Sequence, residues 1–380
     1  MSPVVVRTSP RAAAPPAPAR RAAWPWALAA ALVPAAALAV HVARHHAGDV
    51  SGTYHVTRNS YWTLPLHRAY PPGALRLQEG AYDGAYFLAL ANDPLLRAWD
   101  DSSRFYRGRR ILWPWAGWLL GAGRPAAILQ ALPLANLLLL GLATWALARL
   151  LADGGRHPAW ALLHALSLGA AGCLLRSLSD LFAVNLVLLG AWAWHRERPA
   201  TGALLFALAA LAKETALLAP AVLGALAWVE GRRRRALLLS LVPALVLAWW
   251  FVVWWGSPHH SIGKRNIGLP GAGILAALSP TGARPAEEPW VLPLALFALG
   301  AAVAAGRRAW DRWRAVAAAF VALAGVSTGA IWVEHWAHGR AFLAVPALLL
   351  FRYSVSGRAL DLMAPVAAAL GGIVVWGCWL

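Results

Sequence analysis

Charge is what this chain has least of. Only 13% of its 380 residues are Asp, Glu, Lys or Arg, against 60% hydrophobic, and mean hydropathy is +0.54. A soluble domain carries about a quarter charged residues, so this composition excludes one and points to a polytopic membrane protein. Acids are scarcer still, 16 against 34 Lys and Arg, for a formal charge of +18. In a soluble chain that excess would point to nucleic acid. Here most arginines sit in short clusters between apolar runs, so they read as topology signals and lipid or phosphate contacts, and no nucleic-acid partner is expected. Two cysteines, Cys173 and Cys378, far apart in apolar stretches, imply neither a disulfide framework nor a metal motif. No internal repeat or matched pair of broken helices is visible, which counts against a secondary transporter. Tryptophan, by contrast, is plentiful: 23 residues, crowding the ends of hydrophobic runs at Trp24 and Trp26, Trp249 to Trp255, Trp310 and Trp313, and Trp376 and Trp379. Amphipathic rings anchor helices there at headgroup level.

Residues 1–21, with Arg7, Arg11, Arg20 and Arg21 among Pro and Ala, cannot build a core and are expected to form a disordered cytoplasmic tail. Ala22 to Ala43 is long enough to cross a hydrocarbon core roughly 30 Å thick and reads as a retained signal anchor. Residues 22–380 then form the transmembrane domain, with 44–125 as its first outer loop. From Arg44 to Arg110 the chain is polar, and Gly80 to Leu90 predicts a short aromatic helix. The Trp-rich run 111–122 is short, and whether it crosses decides the side of every later basic cluster. Treated as interfacial, it leaves later spans near 126–150, 158–175, 181–195, 200–212, 215–229, 236–256, 290–306, 315–333, 341–351 and 362–380, with Arg232 to Arg235 and most other clustered arginines inside. The expectation is an all-α polytopic integral membrane protein of about eleven spans, N-terminus in and C-terminus out.

Several spans are too short: 200–212 and 215–229 reach only about 20 Å. Their outer ends carry Lys213-Glu214, and the neighbouring hairpin carries Arg176 and Asp180. Charges at such depth face one another or water, so these apices predict a cavity sunk from the outer face with the first loop as its lid. The bland alternative is internal ion pairs holding the hairpins together.

The loop itself holds the richest constellation. Asp83 lies between Tyr82 and Tyr86, with Gly84 permitting close backbone approach; a carboxylate in aromatic surroundings has raised proton affinity and can serve as general base toward a hydroxyl, unless it is only a capping or turn residue. Asp93, Asp100 and Asp101 read as turn and cap residues. No ligand spacing supports a metal between Asp83 and Asp93 or Asp100. Arg104, Arg107, Arg109 and Arg110 stand outside, where topology signals do not need them, and suit a lipid phosphate or anionic headgroups generally. The run Glu334-His335-Trp336-Ala337-His338-Gly339-Arg340 invites a zinc reading, with an interfacial role as the plainer one.

Tyr-Asp-Gly-x-x-Tyr/Phe in the first outer loop, an Arg-rich segment running into Ile111-Leu112-Trp113-Pro114, an Arg-x-Leu-x-Asp turn and a Lys-Glu-Thr turn together resemble uncharacterised bacterial members of the GT-C-like membrane glycosyltransferases. The resemblance covers residues 80–220 by motif and the rest by topology. It implies a bacterial cytoplasmic (inner) membrane protein, a polyprenyl-phosphate sugar as donor, a lipid or glycan acceptor, and Asp83 as catalytic base. Tyr82, Tyr86, Arg104, Arg107, Arg110, Arg176, Asp180, Lys213 and Glu214 would bind substrate. The paired acids Asp-x-Asp or Glu-x-Asp of some branches are missing, which leaves metal dependence open; no cofactor is required by the sequence. The competing classes are a transporter or flippase of an anionic lipid-linked substrate and a non-enzymatic membrane assembly protein.

Overall fold

The computed structural model describes residues 23–64, 66–80, 82–98, 104–257, 266–278, 311–332 and 335–379, together with 295–298, 300 and 302. The expected tail at 1–21, the acids Asp100, Asp101 and Glu334, and most of the span expected at 290–306 lie outside these residues.

Among the described residues the chain is helical, with an isolated bridge between Ile267 and Ser327 as its sole extended pairing. Besides 3-10 turns and the short helices Arg58–Thr63, Leu162–Ala165, Ala272–Leu278 and Gly329–Trp332, the helices along the chain are α1 (Ala23–His46), α2 (Asp83–Asn92), α3 (Arg104–Gly108), α4 (Leu112–Leu120), α5 (Pro125–Asp153), α6 (Leu168–Leu175) and α7 (Asp180–His195). They continue as α8 (Pro199–Ala212), α9 (Leu218–Val229), α10 (Arg233–Trp255), α11 (Arg312–Gly325), α12 (His335–Ala341), α13 (Ala344–Ser356) and α14 (Leu360–Trp379). Four of these, α1, α5, α10 and α14, are long and apolar enough to cross a membrane, and the pair Pro158–Ala165 and α6, bent by 47° at the intervening break, would make a fifth. The helices α7, α8 and α13 and the segment Glu214–Val229 are apolar but shorter. Helix α10 leaves Leu237, Leu241, Phe251 and Trp255 58–76% exposed. A row of large apolar side chains on an unpacked helix face is what lipid, not water, accommodates.

Prolines at the first helical position start α5 and α8, where a missing N–H is harmless. Helices α7 and α8 pack closely because Gly190 and Gly202 face each other: a Cβ on Gly202 would lie 3.2 Å from the Gly190 carbonyl, and one on Gly190 would strike the Phe206 ring at 2.9 Å. The short helix α4 is nine residues, about 13 Å, far below a hydrocarbon thickness of roughly 30 Å. It packs instead against α5. The run 111–122 is thus too short to cross as a single helix.

The segment between α1 and α4 folds over one end of the bundle. The Tyr54 hydroxyl donates to the Leu129 carbonyl at 2.8 Å, and that of Tyr70 to the Pro125 carbonyl at 2.9 Å, which pins it to the start of α5. Asp93 accepts from the backbone of Arg97 and Ala98 at 2.9 and 2.7 Å, the turn role expected of it. At Gly84 the backbone of α2 comes close to two other segments: a Cβ there would sit 2.7 Å from the Arg176 carbonyl and 3.0 Å from that of Tyr54.

Candidate functional site

Helix ends bring the charges together. Asp83 and Asp180 stand in the first turns of α2 and α7, where a helix N-terminus favours a carboxylate. Lys213 occupies the extended residue that separates α8 from the turn starting at Glu214. Arg107 lies on α3, Arg110 just beyond it, and Arg340 in the last turn of α12.

These residues form one network. The Asp83 carboxylate takes Arg107 on one oxygen and Arg340, at 2.8 Å, on the other. Arg340 also lies 3.8 Å from Asp180, whose other oxygen is 3.0 Å from the Lys213 ammonium. Arg110 grips Glu214 with two parallel bonds, Nε to Oε2 at 2.7 Å and Nη2 to Oε1 at 2.5 Å, and donates to the Tyr106 hydroxyl at 3.0 Å. Aromatic faces form the walls: Arg107 lies 4.4 Å over Tyr86, and Arg176 and Arg340 lie 4.6 and 5.1 Å over Tyr82. The site side chains Asp83, Arg107, Lys213 and Arg340 are only 14–16% exposed, so their charges act in a medium of low effective dielectric.

The two charged apices thus meet beneath the first loop, but with different partners from those nearest in sequence. Lys213 and Glu214 do not pair with each other; each reaches across to another element. Arg176 pairs with the Tyr82 face and not with Asp180. Arg104 stands apart, its guanidinium beside Gly256 at the end of α10, while Arg109 lies over Phe105, Tyr106 and Trp250.

The expected rise in Asp83 proton affinity is overturned. Burial does push it up, but Arg340, Arg107 and Arg110 together outweigh burial and hold the carboxyl well below the usual carboxylate range. The same cations act on Tyr106: burial raises its phenol, Arg110 and Lys213 lower it, and the net shift is downward. His55, beside Tyr82 at 6.3 Å between rings, is pushed down to about 3 by burial and by Arg176. Five cations of the cluster (Arg107, Arg110, Arg176, Lys213, Arg340) face three acids (Asp83, Asp180, Glu214), an excess of two positive charges.

Asp180, Lys213 and Arg340, with Thr215, also line one end of a narrow cavity of about 10 Å³, whose other walls are Ala183, Val184 and Val187 of α7, Phe320 of α11 and Ala344 of α13. One end is ionic; apart from Thr215 the rest is hydrocarbon. Comparison with family models, curated proteins and solved structures finds no match to this chain.

Arg340 is the residue whose role the sequence reading missed. It was noticed only as part of the Glu334–Arg340 run with its zinc alternative, yet it bridges Asp83 and Asp180. The available signal was the one used for Arg107 and Arg110: an arginine at an expected outer helix end, where topology does not call for it. Tyr106, flanked by the same arginines, was likewise passed over. Among the described residues no group of three His, Cys, Asp or Glu stands together as a metal site.

Proposed function

We propose that the chain is a membrane glycosyltransferase that moves a sugar from a polyprenyl-phosphate donor to an acceptor hydroxyl at the outer face of the bacterial cytoplasmic membrane. The helices would make about eleven crossings, several of them short and surrounding the cavity. The observation that carries this reading is the buried cluster beneath the first loop, in which five cations face three acids, with Lys213 and Arg340 opposite Asp180 where it meets a narrow, mostly apolar cavity. A glycosyl phosphodiester bears one negative charge; the phosphate monoester that leaves bears nearly two at neutral pH. A site with two surplus cations favours the departing form over the bound donor, and that difference is what lowers a barrier.

Each side chain then has a task. Arg107 and Arg340, which each donate one hydrogen bond to Asp83, turn part of their charge to the phosphate as it enters. With its counter-charges partly drawn away, the Asp83 carboxylate becomes basic enough to take the acceptor proton. The acceptor oxygen bonds to the anomeric carbon on the face opposite the phosphate, the bond from carbon to phosphate oxygen breaks, and the electron pair leaves on the phosphate. Lys213, held by Asp180, meets the same charge, while the bidentate pair of Arg110 and Glu214 fixes the wall behind it.

Purified protein given a polyprenyl-phosphate sugar and candidate acceptors tests this. Asp83→Asn is expected to lower turnover about 10²–10⁴-fold, the range for losing a positioned base, with donor binding retained. Product formation close to wild type would remove Asp83 from the chemistry. Wild-type protein that carries the anionic lipid across vesicles and forms no glycosyl product would replace the transferase by a flippase.

A further inference from the structure

The other ends of the same helices carry a second basic constellation. Lys213 and Asp180 sit at one end of α8 and α7, so Arg196, Arg198 and Arg232 to Arg235, at the opposite ends, lie on the far side of the bundle. Three of these arginines are tied to acids: Arg196 to Asp153, Arg232 to Glu230 at 3.3 Å, and Arg235 to Glu197. Arg233 and Arg234 are exposed. Between the start of α8 and the first two turns of α10 the surface opens into a groove of about 610 Å³, bounded by Pro199 and Ala200 on one side and by Arg234, Arg235, Leu238 and Leu241 on the other. Arg235 also borders a small cavity of about 10 Å³ lined by Glu230, Arg232 and Arg312 with Trp194.

From this juxtaposition we infer that the groove between α8 and α10 is a specific binding site for an anionic phospholipid of the leaflet opposite the Asp83 cluster. The headgroup phosphate lies against Arg234 and Arg235, and an acyl chain runs along Leu238 and Leu241. Three features select this occupant. The arginines lead directly, within one and two helical turns, into leucines that are bare on the outer surface, Leu237 and Leu241 being 59% and 63% exposed; only an amphiphile satisfies both. The charge is positive beyond what Glu197 and Glu230 neutralise, so a zwitterionic lipid, whose choline or ethanolamine also needs an anion, gains less. The groove is far larger than a free phosphate needs and suits a headgroup with part of a chain. Guanidiniums pair with the phosphate in parallel bonds, and each basic group near an anionic surface strengthens attachment.

The site is independent of the transferase reading, and its test is too. Full-length protein in nanodiscs containing equal phosphatidylglycerol and phosphatidylcholine is released into detergent, and the lipids retained are counted by native mass spectrometry. Wild type is expected to retain phosphatidylglycerol in preference, and R234Q/R235Q to bind it about 30-fold more weakly, from the contribution of two surface charges. A photocrosslinking residue at Leu241, in an otherwise unaltered chain, is expected to label phosphatidylglycerol above its share of the mixture, which keeps the test decisive if the double variant is unstable. Equal retention of the two lipids by wild type, unchanged retention by a folded R234Q/R235Q, or labelling at Leu241 in proportion to the mixture would each overturn the site.

Discussion

Asp83 is a carboxylate with two arginines on it, and that decides how it responds to pH and to substitution. Its folded-state proton affinity is depressed, so the stability it contributes is complete above the unfolded carboxylate value of about 3.9 and is lost only as pH falls toward the much lower folded one. Unfolding measured between pH 5 and 8 should therefore show no step from Asp83. His55 behaves in the other sense. Its folded value of about 3 lies below the unfolded value of about 6.5, so on acidification the unfolded chain takes up a proton that the folded one refuses. Stability should fall as pH drops below about 6.5, and His55→Gln should flatten that slope; an unchanged slope in thermal melts at pH 7.5 and 5.5 would show that His55 is solvated. Arg340→Gln tests the bridge directly. Removing one member of a buried pair costs about 3–5 kcal/mol because the partner charge is stranded, and here two acids, Asp83 and Asp180, lose a cation at once. A loss of phosphate-analogue affinity with a small change in melting would mean that Arg340 serves the ligand more than the fold.

Elements explain what could be read from the chain and what could not. The spans expected at 22–43, 126–150, 236–256 and 362–380 fall on helices long and apolar enough to cross, and those at 181–195, 200–212 and 215–229 on shorter ones, because the length of an apolar run is a quantity that sequence displays; the runs 158–175 and 315–333 are broken into shorter helices. The acids, arginines and Lys213 were recognised as apical by the same logic. Their partners were not, because Arg340 meets Asp83 across 257 residues, and no periodicity encodes which two helix ends will touch. The sign of the Asp83 shift followed that unknown: aromatic flanks were visible at 82 and 86, the second arginine was not. The contact at Gly84 gives an element-scale test. Glycine within a helix costs about 0.5–1 kcal/mol relative to alanine, so on propensity alone Gly84→Ala would stabilise α2. A Cβ 2.7 Å from the Arg176 carbonyl and 3.0 Å from that of Tyr54 reverses this, since two backbone segments must move and overpacking costs about 1–3 kcal/mol. Gly84→Ala should lower the melting temperature and loosen the first loop in limited proteolysis; a rise in melting temperature would show that α2 is not docked at Arg176.

At the scale of the whole molecule, the two charged ends are unlike. One holds Asp83, Asp180, Glu214 and their cations in a nearly closed network; the other holds exposed arginines with a smaller share of acids. Helices α7 and α8 connect the two, and at 16 and 14 residues they span only about 21–24 Å. If these are crossings, the charged end must sink below the level of the flanking long helices α1 and α5, and water must reach it from that side. The arginine-rich end then lies at the cytoplasmic surface, because translocating four adjacent arginines, Arg232 to Arg235, opposes the charge bias that orients membrane chains. Single cysteines decide the matter. In a background with Cys378, which is exposed, changed to Ser, and Cys173, which is buried, left in place, Glu79→Cys samples the first loop and Arg233→Cys the start of α10; both positions are exposed. An impermeant maleimide added to intact cells should label position 79 and spare position 233 until the membrane is opened. Labelling of both from outside would put the two ends of α8 on one side, make α7 and α8 a re-entrant hairpin, and remove the geometry on which an outward-facing transferase site depends.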